Sequence, residues 1–262
     1  MKKILKQAVT EAGMILMHQF SKTTAYTIKE NQSSIVTQAD IDSERKIIEI
    51  ISKAFSSHNI LSEECGFQNR NSHYTWVIDP LDGTSNFAAG IPWFGVIICV
   101  LKNFQPVISG CYLPVQNQFY FAEKGVGAFL NNKVMTVSQE TALKNILASY
   151  SLDFTDEPGK TEREVQIIRR LVQHIRNLRS TNCLVDLCYT ADGRFGACAN
   201  QTTKIWDIAG PLLLIEEAGG IASDLHGNPI HFTFTENDYN RNFEIVASNK
   251  TLHPLLIKLF TN

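Results

Sequence analysis

The chain has 262 residues, 44% of them apolar and 19% charged, with a formal net charge of −2. That balance belongs to a globular protein of one large or two modest domains, and it leaves no basic excess with which to coat a nucleic-acid backbone or an anionic membrane. The longest apolar stretch, nine residues over 93–101, is too short to span a bilayer, which takes about 20.

Ile4, Leu5, Ala8, Val9, Ala12, Ile15, Leu16 and Phe20 recur at helical spacing, so the first element is expected to be an amphipathic helix. Lys6, Gln7, Glu11 and His18 interrupt it and argue against a secretory signal; a cytoplasmic location is expected. After a polar segment over 29–34, a second amphipathic helix is expected from near Asp40, turning Ile41, Ile47, Ile48, Ile51 and Phe55 inward. Between residues 60 and 137 the runs become short and are broken by Gly, Pro and Asn. They read as strands over 61–64, 75–79, 95–101, 107–112, 118–123 and 128–130 of one mostly antiparallel sheet.

Beyond about residue 140 strands and helices alternate. Strands are expected over 146–150, 196–199 and 243–247, and helices over 161–175, 186–192, 207–218 and 252–260. Gly219-Gly220 suits a left-handed cap on the third of these helices. The predicted fold class is α/β (α+β) in two layered halves. Residues 1–140 place two helices on an antiparallel sheet, and 141–262 form a smaller α/β half.

Six cysteines show no Cys-x-x-Cys and no partnering histidine spacing, so they read as small reduced hydrophobes rather than zinc or redox ligands. Arg163, Arg169, Arg170, Arg176 and Arg179 make a local basic group, read as a solvated helix face.

The chemistry concentrates in Asp79-Pro80-Leu81-Asp82-Gly83-Thr84-Ser85-Asn86. A strand is expected to deliver Asp79 to a turn that Pro80 restricts, so that Asp82 returns beside it. Two such carboxylates repel one another unless a proton or a cation joins them. Hard oxygen ligands favour Mg²⁺, Mn²⁺ or Ca²⁺ over zinc, and the Leu81 carbonyl is a further donor. Gly83 lets the backbone approach a ligand, and Thr84, Ser85 and Asn86 suit a helix cap with N–H groups turned to an anion. Glu63 and Glu64 close an apolar strand. Asp207 opens an apolar helix as an N-cap or a metal ligand. Read singly, each acid is an ordinary turn, loop or capping residue; jointly they describe a metal-dependent site for phosphate.

Val36-Thr37-Gln38-Ala39-Asp40, Ser62-Glu63-Glu64, Trp76-Val77-Ile78-Asp79-Pro80-Leu81-Asp82-Gly83-Thr84-Ser85-Asn86, Trp206-Asp207-Ile208-Ala209 and Glu217-Ala218-Gly219-Gly220 occur in this order across nearly the whole chain. In them the sequence resembles the inositol monophosphatase family of lithium-sensitive, magnesium-dependent phosphatases. The resemblance implies an αβαβα layered sandwich and a homodimer. It implies that Glu63, Asp79, the Leu81 carbonyl, Asp82 and Asp207 hold two or three Mg²⁺ ions, with Mn²⁺ as a substitute. Thr84, Asp40 and Glu63 become catalytic, Thr84 backed by Asp40 orienting the attacking water. Leu81, Asp82, Gly83, Thr84, Asn182, Cys183, Asn200, Asp207 and Lys29 face the substrate. The family pattern is departed from at Ser34, where the family usually has an aspartate, at Thr181-Asn182-Cys183-Leu184, where most members have Gly then Ser or Thr before a small pair, and at Asn200, where the inositol-specific members carry a glutamate that contacts the inositol hydroxyls.

A small phosphorylated metabolite is the expected partner. Inositol 1-phosphate leads, with fructose 1,6-bisphosphate, histidinol phosphate and 3′-phosphoadenosine 5′-phosphate as alternatives. A separate reading is association with RNA or RNA polymerase through residues 163–179.

Overall fold

A computed structural model describes residues 1–20 and 25–261. Helix α1 (Lys2–Gln19) buries Leu5, Ala8, Val9, Ala12 and Leu16, the stripe that its spacing predicts. A hairpin of β1 (Tyr26–Ile28) and β2 (Ile35–Thr37), too short to show any alternation, follows before α2 (Gln38–Ala54). Thr37 caps α2: its Oγ1 accepts from the Ala39 N–H, while Asp40 Oδ2 accepts from the Thr37 N–H at 2.8 Å. This capping box satisfies two otherwise unpaired donors and fixes Asp40 inside the protein.

The main sheet is built from β3 (Asn59–Ser62), β4 (Gly66–Gln68), β5 (Tyr74–Asp82), β6 (Gly95–Lys102), β7 (Gln105–Leu113), β8 (Gln118–Glu123), β9 (Gly127–Leu130) and β10 (Lys133–Val134), with the short helix α3 (Thr84–Ala88) between β5 and β6. Its order is β10-β9-β8-β7-β6-β5-β3-β4. All pairs are antiparallel except β3 with β5. Strand β3 stops at Ser62, so Glu63 and Glu64 stand in the following turn instead of within the strand. Strand β5 runs past Pro80 to Asp82, and its register with β6 shifts between Asp79 and Asp82.

The second sheet contains β11 (Leu147–Ser151), β12 (Asn177–Arg179), β13 (Ala197–Thr203), β14 (Gly220–Ser223) and β15 (Phe243–Asn249) in the order β12-β11-β13-β15-β14. Its β12-β11-β13 part is parallel, and β15 is antiparallel to both its neighbours. Four helices accompany it: α4 (Lys160–His174), α5 (Leu184–Ala191), α6 (Ile205–Glu217) and α7 (His253–Thr261). Helix α5 starts two residues earlier than its apolar pattern predicts. Gly219, at φ +87°, closes α6 in the left-handed conformation expected of it.

Three buried clusters define the layers. Helices α1 and α2 cover one face of the main sheet around Trp76 and Ile78. Helices α5 and α6 fill the space between the two sheets. Helices α4 and α7 cover the outer face of the second sheet around Tyr150 and Val246. The result is the expected αβαβα sandwich. Helix α6 is apolar almost all round because it is buried on both sides. At Gly210 a side chain would meet Ile97 Cγ2 at 2.9 Å and Ser109 Oγ at 3.0 Å, so the helix lies close on the sheet. The N-terminal end of α6, the end of β5 and the start of α5 thereby meet at one place.

Candidate active site

Asp79 is almost fully buried and its Oδ1 accepts the Leu81 N–H at 3.0 Å, which closes the turn after the strand. Ser43 of α2 donates to the Pro80 carbonyl at 2.7 Å and ties that turn to the helix layer. Asp82 accepts the Leu184 N–H through Oδ2. It therefore caps α5, whose N-cap residue Cys183 makes no side-chain cap of its own. Gly83 has φ +85°, and a Cβ there would stand 2.7 Å from the Trp93 carbonyl oxygen. Only glycine fits this bend without strain. Gly83 occupies the N-cap of α3, and Thr84 is the first residue inside the helix, a correction to its expected capping place.

Thr84 Oγ1 lies 3.0 Å from Asp40 Oδ1 and 2.9 Å from the Leu81 carbonyl oxygen. Asp207 is also displaced from its expected N-cap. The cap residue is Lys204, whose N–H donates to Asp207 Oδ2 at 2.6 Å. Asp79, Asp82 and Asp207 each present an oxygen, the three lying within 4.8 Å of one another.

Glu63 lies outside that grouping, although it lines the same cavity. Its carboxylate accepts from Lys29 Nζ at 2.6 Å, and Glu64 accepts from the same ammonium at 2.8 Å. Burial alone would lower the Lys29 pKa, but the two glutamates together hold it above its ordinary value.

The cavity measures about 390 Å³. Lys29, Glu63, Asp79, Leu81, Asp82, Gly83, Thr84, Asn182, Cys183, Asn200 and Asp207 all line it, and Asp40 reaches it through Thr84. The candidate residues from both halves of the chain thus share one cleft. Residues that the sequence did not single out line it as well, among them Asp153, Asp186, Thr202, Lys204 and Asn240. Asp153 stands two residues beyond β11, an acid after a strand end like Glu63, and that signal was available in the sequence. Thr202 and Asn240 carry no comparable mark.

The electrostatics call for positive charge. Burial pushes Asp40 up to about 6, against hydrogen bonds from Thr37 and Thr84. Burial, with neighbouring carboxylates, pushes Glu63 up to about 7. Burial likewise takes Asp82 up to about 7, although the Leu184 N–H opposes it. Asp79 and Asp207 stand well above the ordinary carboxylate range, from burial first and from their acidic neighbours second. A desolvated all-oxygen cluster of this kind suits a hard divalent cation. It offers no soft ligand, since burial holds the nearby Cys183 thiol well above its ordinary value.

A family model described as the inositol monophosphatase family matches residues 1–262. A fructose-1,6-bisphosphatase/inositol-1-monophosphatase of Aquifex aeolicus is 31% identical, the match covering 98% of this chain and 94% of that one. The Nus factor SuhB of Haemophilus influenzae is 30% identical over 99% of this chain and 95% of its own. Among solved structures, the extragenic suppressor protein suhB of Bartonella henselae superposes with a TM-score of 0.90 at 28% identity, over 100% of this chain and 98% of that one. Metal dependence is typical of the family. With its cluster of buried carboxylates, its layered fold and these likenesses, the chain belongs to the inositol monophosphatase family and is a hydrolase of phosphoric monoesters.

Proposed function

We propose that the protein hydrolyses the phosphate monoester of a small polyol, inositol 1-phosphate foremost, with Mg²⁺ as cofactor. The observation that carries this reading is the convergence of Asp79, Asp82 and Asp207 on one point of the cleft. With the Leu81 carbonyl and Glu63 they form the proposed ligand set for two or three ions, and Mn²⁺ suits the same oxygens. When bound, the metal supplies charge neutralisation and a water of lowered pKa.

The remaining work falls to the chain. Asp40 holds the Thr84 hydroxyl (3.0 Å), and the pair is proposed to orient the attacking water and take up its proton. The backbone N–H groups of Gly83 and Thr84, at the start of α3, are proposed to hold the phosphate, with Lys29 beside it. Glu63 joins the ligand set by leaving the Lys29 ammonium to Glu64. The half over 1–140 thus supplies the hydrolytic machinery, and the half over 141–262 supplies Asp207 and the alcohol-facing Asn182, Cys183 and Asn200. Replacement Asp79→Asn is expected to abolish Mg²⁺-stimulated phosphate release while the circular dichroism spectrum is unchanged. Undiminished turnover in that variant overturns the reading. A parallel assay on inositol 1-phosphate, fructose 1,6-bisphosphate, histidinol phosphate and 3′-phosphoadenosine 5′-phosphate ranks the substrates.

A second reading, association with transcription machinery, is supported by relatives that are named as Nus factors SuhB. The arginine group of α4 and β12 lends it little. Arg163 pairs with Glu157, Arg170 donates to the Leu259 carbonyl at 2.6 Å, and Arg179 donates to the neighbouring Leu178 carbonyl. Salt-sensitive binding to RNA polymerase or RNA that survives Asp79→Asn supports this reading, and its absence removes it.

A further inference from the structure

One part of the cleft wall is organised around a residue with no role in the hydrolytic machinery. Asp153 follows β11, and each of its oxygens accepts one hydrogen bond from a different segment. Asn182 Nδ2 donates to Oδ1 at 2.7 Å, and Thr202 Oγ1 donates to Oδ2 at 2.9 Å. Asn182 precedes α5 in the left-handed conformation (φ +53°) and Thr202 lies in β13, so one carboxylate joins three separate stretches. Asp186, which also lines the cavity, braces the same corner. Its Oδ2 accepts from Ser151 Oγ at 3.1 Å and from the Thr181 N–H at 3.2 Å.

A bound carboxylate oxygen keeps a second lone pair, so Asp153 remains an acceptor at both oxygens. Asn200 commits its amide oxygen to the Thr202 N–H at 2.8 Å and to Thr202 Oγ1 at 3.2 Å, which leaves its N–H₂ as the donor end. Acceptor and donor therefore stand side by side on a wall that lines the cavity. Hydroxyl groups, which both donate and accept, match such a pair.

The charge matters as much as the hydrogen bonding. Among the described residues Asp153 has no cation within salt-bridge distance. Among the described residues the two lysines that line the cleft are engaged elsewhere, Lys29 by Glu63 and Glu64 and Lys204 by the Asn240 carbonyl. At position 200 a neutral amide stands in this wall, and of its two carboxylates Asp186 is buried and held by Ser151 and Thr181, while Asp153 is the one partly exposed to the cleft.

Resting on the phosphatase reading above, we propose that Asp153 is the specificity-determining residue of the alcohol subsite. It accepts hydrogen bonds from the hydroxyls of a neutral polyol and repels a second phosphate. The protein is thereby a phosphatase of polyol monophosphates that discriminates against bisphosphates.

The test compares kcat/KM for inositol 1-phosphate with that for fructose 1,6-bisphosphate in the full chain with Mg²⁺, for wild type, Asp153→Ala and Asp153→Asn. Wild type favours the monophosphate. In both variants the ratio is expected to fall by about tenfold to a hundredfold. The monophosphate loses through a raised KM, and the bisphosphate gains as the charge is removed. Asp153→Asn keeps the shape of the corner and carries the result if Asp153→Ala does not fold. A ratio unchanged within about twofold in the folded variants, or a wild type that favours the bisphosphate, overturns the assignment. Wild-type release from p-nitrophenyl phosphate is measured alongside. If wild type releases phosphate from none of the three esters, the phosphatase reading itself falls and this assignment falls with it.

Discussion

Asp40 is fully buried, and among the described residues it has no cation within salt-bridge distance and its charge is supported by the hydrogen bonds of Thr37 and Thr84. A carboxyl held near 6 is basic enough to accept a proton at neutral pH, and Thr84 is its one link to the cleft. Asp40→Asn keeps the capping geometry on the oxygen side and removes the base. Its kcat is expected to fall by about 10²–10⁴ with little change in KM, read from steady-state phosphate release; a raised KM at unchanged kcat contradicts the role. At this scale the sequence was informative where chemistry is contiguous. Residues 79–86 fold on themselves, so their turn, their paired acids and their glycine were visible in order. Asp153, Asn182 and Thr202 act together only after three segments meet, and no local pattern marks such a meeting. Glu63, a proposed metal ligand, is paired with Lys29 in this structure, a contact between residues 34 apart in sequence that no local pattern marks.

Long elements were legible because burial on one side imposes a period. The stripes of α1 and α2 and the apolar runs of β5, β6 and β7 needed only their own residues to be recognised, although Ile41, expected on the inner side of α2, is exposed in its first turn. The three-residue strands β1, β2, β4 and β12 are too short to display a period, and their pairing is set by neighbours. The parallel alignment of β3 with β5 likewise comes from the path of the chain through β4, which no pattern within β3 encodes. Connections between elements rest on single polar residues. Asn249, at the end of β15, donates to the Ser138 and Glu140 carbonyls, both at 2.7 Å, and accepts from the Thr251 and Leu252 N–H groups at 2.9 and 2.8 Å. It ties the segment leading into the second sheet to the start of α7. Asn249→Ala leaves these groups unmatched and is expected to destabilise the protein by about 2–3 kcal/mol in urea unfolding. A loss below about 0.5 kcal/mol, the size of an ordinary surface substitution, contradicts that role.

Across the whole molecule the two sheets and the helix layer between them drive acids from distant parts of the chain into one desolvated cleft. Folding therefore raises carboxyl pKa values there, from ordinary values near 4 to about 6 for Asp40 and about 7 for Glu63 and Asp82. Within that window the folded state holds protons that the unfolded chain has released, so stability falls as pH rises through it. A divalent cation offsets the repulsion and competes with those protons. The rise in melting temperature on adding Mg²⁺ is expected to be larger at pH 8 than at pH 5, measured by calorimetry in matched buffers. An equal or smaller rise at pH 8 contradicts the linkage.

The layered architecture followed from the alternation of strand and helix along the chain. The order of strands, and hence which acids meet, required the tertiary structure. That meeting is most directly examined by anomalous diffraction from crystals soaked in Mn²⁺ and inorganic phosphate. The account predicts strong metal peaks within coordinating distance of Asp79, Asp82 and Asp207, with phosphate against the Gly83–Thr84 turn. A cleft without anomalous signal, its carboxylates turned apart, would contradict it.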